Sequence, residues 1–211
     1  MGILKNIFGS KGAGKRTSSR SRNTKETRIR LGLTVDGEGR SQIKTGIGFL
    51  DHMLELFSFW GHFDLEVKAE GDLKVDIHHT NEDIGIVLGQ AFKEALGDKN
   101  GIKRIGSASV PMEAVTASVA VDICGRGSFK LDIPGGLAQD DENYRMAYAE
   151  HFFESFAQQL GANVNIRIEN PSSDLHATLE PAFKALGIAL DQATQIDPRR
   201  KGIPSTKGVI D

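Results

Sequence analysis

Apolar and polar positions divide this chain into strand-like and helix-like stretches. Ile29, Leu31, Leu33 and Val35 alternate with polar residues or glycine, the period of a half-buried strand. Asp36-Gly37 behind them predicts a turn and a hairpin. Phe49 to Trp60 predicts a helix, and Phe63, Leu65, Val67 and Ala69 predict a further strand. Beyond a Gly71-Asp72 turn, Leu73, Val75 and Ile77 carry the alternation up to His78-His79. The next helix is predicted to open at the capping box Thr80-x-x-Asp83. It gathers Ile84, Val87, Leu88, Ala91 and Leu96 on one face and ends near Gly97.

The second half replays this order. Val115, Ala117, Val119, Val121 and Ile123 alternate, and a hairpin turn is predicted near Gly125. Helix follows over Tyr144 to Leu160, strand over Val164, Ile166 and Ile168, a turn at Asn170-Pro171-Ser172, and helix from about His176 to Ala193. The residues match as well as the order. His52-x-x-Glu55-x-Phe57 parallels His151-x-x-Glu154-x-Phe156, and Gln90-Ala-Phe-Lys-Glu-Ala-Leu96 resembles Pro181-Ala-Phe-Lys-Ala-Leu186. The expected fold is therefore α/β (α+β): an internally duplicated unit, each half a small mixed sheet covered on one face by two helices. The expected division is a basic flexible tail over 1–23, a first half over 24–110 and a second over 111–211, with both halves in one compact domain.

Composition changes this picture mainly at the N-terminus. The whole chain has a formal charge of −2, yet residues 1–25 hold seven Lys or Arg and no acid. That leaves 19 of the 26 cations against all 28 acidic groups, so the remainder carries about −9. An acidic body without interleaved aromatics argues against nucleic acid as the main partner. Gly9-Ser-Lys-Gly-Ala-Gly14-Lys15 resembles a phosphate-binding loop, but Arg16 stands where Ser or Thr is needed and no strand leads into it. A lone cysteine, Cys124, excludes an internal disulfide, fits a reducing cytoplasm, and reads as a small buried hydrophobe within a strand. No run approaches the roughly 18 apolar residues of a membrane span.

Histidine placement carries the chemistry. His78 and Glu82 stand four apart, as do His176 and Glu180, so each pair lies on one face of a helical turn and offers two ligands to one divalent cation. His52 precedes the first pair by 26 residues, and His151 precedes the second by 25. Imidazole and carboxylate donors without thiolates suit Mn²⁺, Fe²⁺, Zn²⁺ or Ni²⁺. His78 and His79, taken as extended, would point to opposite faces and serve two different metals. Each half would then contribute ligands to two sites, with Glu82 in one and Glu180 in the other. His62 lies outside the pattern and reads as exposed. Arg104, Arg126, Lys184 and Pro204-Ser-Thr-Lys-Gly208 are groups that could hold a phosphate, although Lys184 could equally pair with Glu180 on its own helix.

Together, Gly48-Phe-Leu-Asp-His52-Met, His78-His-Thr-Asn-Glu-Asp83, Gly101-Ile-Lys-Arg104, Val121-Asp-Ile-Cys-Gly-Arg126, Ala149-Glu-His151-Phe-Phe-Glu, Phe183-Lys184-Ala and Pro204-Ser-Thr-Lys-Gly208 resemble the imidazoleglycerol-phosphate dehydratases of histidine biosynthesis. The resemblance spans about Thr24 to Asp211. It implies a ribosomal protein S5 domain 2-like unit, two Mn²⁺ per active site built between subunits, and trimers assembled into a 24-mer. Its substrate would be imidazole glycerol phosphate and its product imidazole acetol phosphate. An imidazole held between two cations would favour its imidazolate form, whose electrons can expel the neighbouring hydroxyl. The resemblance makes His52, His78, His79, Glu82, His151, His176 and Glu180 the metal residues. It makes Glu26 the acid/base for the carbon proton, and Arg104, Arg126, Lys184, Ser205 and Lys207 the phosphate holders. The chain departs from the family pattern at Ala177, where a second metal-binding histidine is expected, and at Trp60, Glu113-Ala114 and Asp174. Ala177 raises an alternative: an impaired or non-catalytic homologue that keeps the fold and the assembly.

Overall fold

The computed structural model describes residues 14–134 and 144–210. The first half consists of β1 (Thr17–Asn23), β2 (Thr27–Thr34), β3 (Ser41–Lys44), α1 (Gly48–Gly61), β4 (Asp64–Gly71) and α2 (Ile77–Leu96). The second repeats it as β5 (Ile105–Met112), β6 (Val115–Asp122), β7 (Ser128–Asp132), α3 (Met146–Leu160), β8 (Asn163–Glu169) and α4 (Leu175–Thr194). The sheets run β1-β2-β4-β3 and β5-β6-β8-β7, antiparallel except for the last pair of each. Register repeats too: Ile29 lies opposite Ala69 in the first sheet, and Ala117 opposite Ile168 in the second. The duplicated α/β unit with a mixed sheet and two helices per half is as expected.

Four local expectations are corrected. The turns at Asp36-Gly37 and Gly125 do not close hairpins, because β4 and β8 insert between the strands those turns join. A turn sequence fixes the chain's reversal but not which strand fills the gap. The true hairpins are β1–β2, joined by the three residues Thr24-Lys25-Glu26, and β5–β6, joined by the two residues Glu113-Ala114. Leu73 to Ile77 is no strand: Asp76 accepts from the His78 amide and starts α2 four residues before the Thr80 capping box. Within the expected tail 1–23, residues 17–23 form β1, paired along its length with β2, while residues 1–13 lie outside the described residues. Finally, β5 crosses the expected boundary at 110 and belongs to the second sheet.

Each sheet turns one face to its own helices, and the helices meet across the halves: α2 packs on α3 and α1 on α4. Gly89 of α2 rests on the Phe156 carbonyl, where a Cβ would lie 2.6 Å away; its counterpart Gly187 of α4 rests on that of Phe57, at 2.5 Å. Phe57, Phe92 and Phe156, all fully buried, meet between the layers at centroid distances of 5.8–6.4 Å. Such edge contacts contribute about 0.5–1.5 kcal/mol each beyond their burial. This exchange of helices decides which histidines meet.

Candidate active site

Asp76 and Asp174 cap α2 and α4 by accepting from the amides of His78 and His176 at 2.9 Å. The His/Glu pairs therefore occupy the first turns of these helices. Because α4 packs on α1, the second-half pair meets the first-half His52. His176 Nε2 lies 2.7 Å and His52 Nε2 3.5 Å from Glu180 Oε2, and the two imidazoles stack at 5.0 Å. One ligand atom from each of these three residues falls within a 4.8 Å span, the one such group among the described residues. The donor set, two imidazoles and a carboxylate, fits a divalent transition metal.

Burial opposes ionisation of Glu180, but hydrogen bonds from Lys184, then His176 and His52, hold its carboxyl below the usual range. Lys184 Nζ lies 2.5 Å from Glu180 Oε1 and stands over the Trp60 ring at 5.9 Å. The helix ion pair weighed for Lys184 is thus formed. Two of its three ammonium protons remain for another acceptor.

The mirror arrangement joins α2 to α3. His78 Nδ1 lies 3.0 Å from His151 Nδ1, and His78 Nε2 lies 3.1 Å from Glu82 Oε2. These contacts use opposite edges of the His78 ring, so the three residues are neighbours without converging on one point. Phe49 and Tyr144 lie between the two clusters. Phe49 stacks on Tyr144 at 4.4 Å and meets the edge of His176 at 6.0 Å, while Tyr144, fully buried, donates to Asn81 at 2.6 Å.

His79 joins neither cluster. Both histidines are helical rather than extended, which corrects the geometry expected for them, and the helix turn separates them instead. His79 Nδ1 lies 3.2 Å from both Asp72 oxygens, and that contact, more than the nearby Glu26, raises its pKa above the ordinary imidazole value. Glu26 is exposed in the β1–β2 loop. Ala177 follows His176 on α4 and is buried. His62 ends α1 in a left-handed conformation and is exposed.

The phosphate candidates other than Lys184 gather at the far end of the helices. Arg104 donates to both Asp122 oxygens at 2.6 and 3.0 Å and to the Pro204 carbonyl at 3.0 Å. This places it beside Ser205, whose Oγ accepts from the Lys207 amide at 3.2 Å. Arg126 is exposed on the β6–β7 loop, where its carbonyl accepts from the buried Cys124 thiol at 3.3 Å. The Arg104 amide bonds Ala193 of α4. Glu180 lies thirteen residues earlier on that helix, about 20 Å along the axis. One chain therefore does not bring Arg104 and Ser205 to the His52–His176–Glu180 group. The sequence placed Asp72 in a turn, Asp83 in a capping box and Asp174 among the departures from the family pattern, but assigned none of them, nor the capping Asp76, to the site. The repeated Asp-x-His was the available signal for the caps.

Comparison with known proteins fits this arrangement. The imidazoleglycerol-phosphate dehydratase family profile matches residues 45–190. Proteins of that name from Pelobacter propionicus and Syntrophobacter fumaroxidans are 49% and 50% identical, covering 92% and 94% of this chain and 99% and 100% of their own. The crystal structure of the Staphylococcus aureus dehydratase superposes with a TM-score of 0.75 at 31% identity, over 86% of this chain and 99% of that one. The Pyrococcus furiosus structure gives 0.76 at 34%, over 90% and 99%. Fold and comparisons together define a hydro-lyase built on a duplicated α/β unit. The chain belongs to the imidazoleglycerol-phosphate dehydratase family.

Proposed function

We propose that this chain dehydrates imidazole glycerol phosphate to imidazole acetol phosphate, a step of histidine biosynthesis in the cytoplasm, as a Mn²⁺-dependent enzyme. The observation that carries the metal dependence is the convergence of His52, His176 and Glu180 from opposite halves of the fold. Isolated structural histidines have no reason to meet across a duplication. His78, Glu82 and His151 would hold a second ion after a small rotation of the His78 ring, and His79 is free of both groups to serve a neighbouring subunit. Bound cations would lower the cost of forming the imidazolate that expels the hydroxyl.

The remaining roles fall to the chain's own residues. Glu26, exposed on the β1–β2 loop, moves the carbon-bound proton. Arg104, Arg126, Ser205 and Lys207 hold the phosphate, with Lys184 adding the protons that Glu180 leaves unused. The separation of about 20 Å between Arg104 and Glu180 supports a site shared between copies, in trimers assembled to a 24-mer. No helix among the described residues is long and apolar enough to cross a membrane.

Ala177 supports a second reading, an impaired homologue, since a methyl group supplies no ligand where the family pattern has histidine. Metal content per chain with Mn²⁺ supplied, measured beside dehydration of imidazole glycerol phosphate, separates the two for the chain as it stands and for Ala177→His. Full activity in the unaltered chain removes the impaired reading. Activity only in Ala177→His makes Ala177 the lesion, and none in either rejects the dehydratase.

A further inference from the structure

The β1–β2 loop that carries Glu26 is fastened to α2 by a polar network whose Asp83, Arg22 and Thr27 contacts have no equivalent in the second half. Asp83, 8% exposed, accepts at Oδ1 from Arg22 Nε at 2.8 Å and at Oδ2 from Thr27 Oγ1 at 2.5 Å. Thr24 Oγ1 accepts from the amides of Glu26 and Thr27 at 3.1 and 2.9 Å. The Glu26 carbonyl accepts from the Asp72 amide at 3.1 Å, and Asp72 also holds His79. The loop is thus tied at both ends to the segment that leads into and opens α2.

The duplication supplies an internal control. Ile29 and Ala117 are counterparts by their partners Ala69 and Ile168. Arg22 faces Ile29 and Val110 faces Ala117, so Arg22 corresponds to Val110. By the same register Thr27 corresponds to Val115 and Glu26 to Ala114. The caps Asp76 and Asp174 align the helices, so Asp83 corresponds to Pro181. The counterparts of Arg22, Glu26, Thr27 and Asp83 are all apolar, and the second half nonetheless forms the same hairpin, sheet order and helix; it keeps only the tie to the lead-in segment, where Asn170 Nδ2 donates to the Ala114 carbonyl at 3.4 Å. The fold does not require the network. Burying a carboxylate is costly unless it is paired, and Asp83 is buried and paired beneath the loop that bears a proton-transfer candidate.

We infer that Asp83, Thr27 and Arg22 are positioning residues that hold the Glu26 loop against the start of α2. This rests on the dehydratase reading for the role of Glu26, but the clamp itself has a readout that does not. Thr27→Val installs the residue of the other half, Thr27→Ser keeps the hydroxyl, and Val115→Thr alters the matching position away from Glu26. In steady-state kinetics Thr27→Val is expected to lower kcat about 10- to 100-fold with KM within about twofold, as a small misplacement of a reacting group does. Thr27→Ser is expected to restore kcat, and Val115→Thr to leave it unchanged whatever it does to Tm. Full kcat in Thr27→Val, or equal losses in Thr27→Val and Val115→Thr, overturns the inference. Amide hydrogen exchange decides it independently of turnover. In Thr27→Val and Asp83→Asn, residues 24–27 are expected to exchange faster while residues 112–115 do not change. Unaltered exchange at 24–27 also overturns it. Absence of dehydration in the unaltered chain counts against the functional reading alone.

Discussion

Asp64 illustrates how single residues hold the edges of this fold. It is 4% exposed and accepts from the amides of Glu38 and Arg40 at 2.9 and 3.1 Å and from the Arg40 guanidinium at 2.9 Å. Burial opposes its ionisation, but these donors outweigh it and keep the carboxyl below its ordinary value. A depressed pKa adds stability above the unfolded value of about 4 and loses it as pH falls through the folded value. Asp64→Asn is therefore expected to lower stability at neutral pH by roughly 1–3 kcal/mol, the half-exposed Arg40 keeping the effect towards the low end. Thermal melts across pH check this: the gap between variant and parent should close in acid, and a constant gap removes the charge from the account. Glu180 shows the same balance of burial against donors, now beside two imidazoles. The histidine and glutamate identities of both clusters were legible in the sequence. Their partners were not, because Asp72 and Asp83 look like any other helix-flanking acids until their neighbours are known.

Elements follow the sequence where one period dominates and depart from it where a cap or a neighbour intervenes. α1, α3 and α4 begin and end within about two residues of the apolar pattern, whereas α2 starts early because Asp76 caps it. β2, β4, β6 and β8 alternate as read, but pairing order was hidden: β4 and β8 enter between strands whose turns imitate hairpins. Helix contact depends on two small residues related by the duplication. Gly89→Ala and Gly187→Ala each place a methyl under 3 Å from a carbonyl oxygen of the opposing helix. Each is expected to cost about 1–3 kcal/mol through overpacking, a fall in Tm of roughly 2–4 °C per kcal/mol for a chain of this size. Calorimetry of the two variants checks this, and an unshifted Tm in both shows that the helices have room to part. Ala elsewhere in a helix normally stabilises relative to Gly, so the sign itself is diagnostic.

At the scale of the molecule, the two halves complete each other. α2 lies between its own sheet and α3, and α4 between its own sheet and α1, so a single half would expose the face that carries Gly89 and Phe92 or the face that carries Gly187. Residues 14–104 and 105–210 produced separately are expected to lack a cooperative thermal transition, and mixing them to restore it. Circular dichroism melts of each piece and of the mixture test this; a sharp transition in either piece alone refutes the mutual dependence. The same exchange builds the site, since His52 finds its partners in the second half and His151 finds its partners in the first.

The sequence alone determined the duplication, the four helices, strands β2, β4, β6 and β8, and the residues with metal-ligand chemistry, because periodicity and spacing are properties of neighbours along the chain. It also exposed the broken symmetry at Ala177. The tertiary structure decided which copies of the histidines meet. It placed His79 with Asp72, separated Arg104 from Glu180 along the length of α4, and tied the Glu26 loop to Asp83. Apart from His79 and Asp72, which are seven positions apart, these placements relate residues tens of positions apart, and no local pattern encodes them.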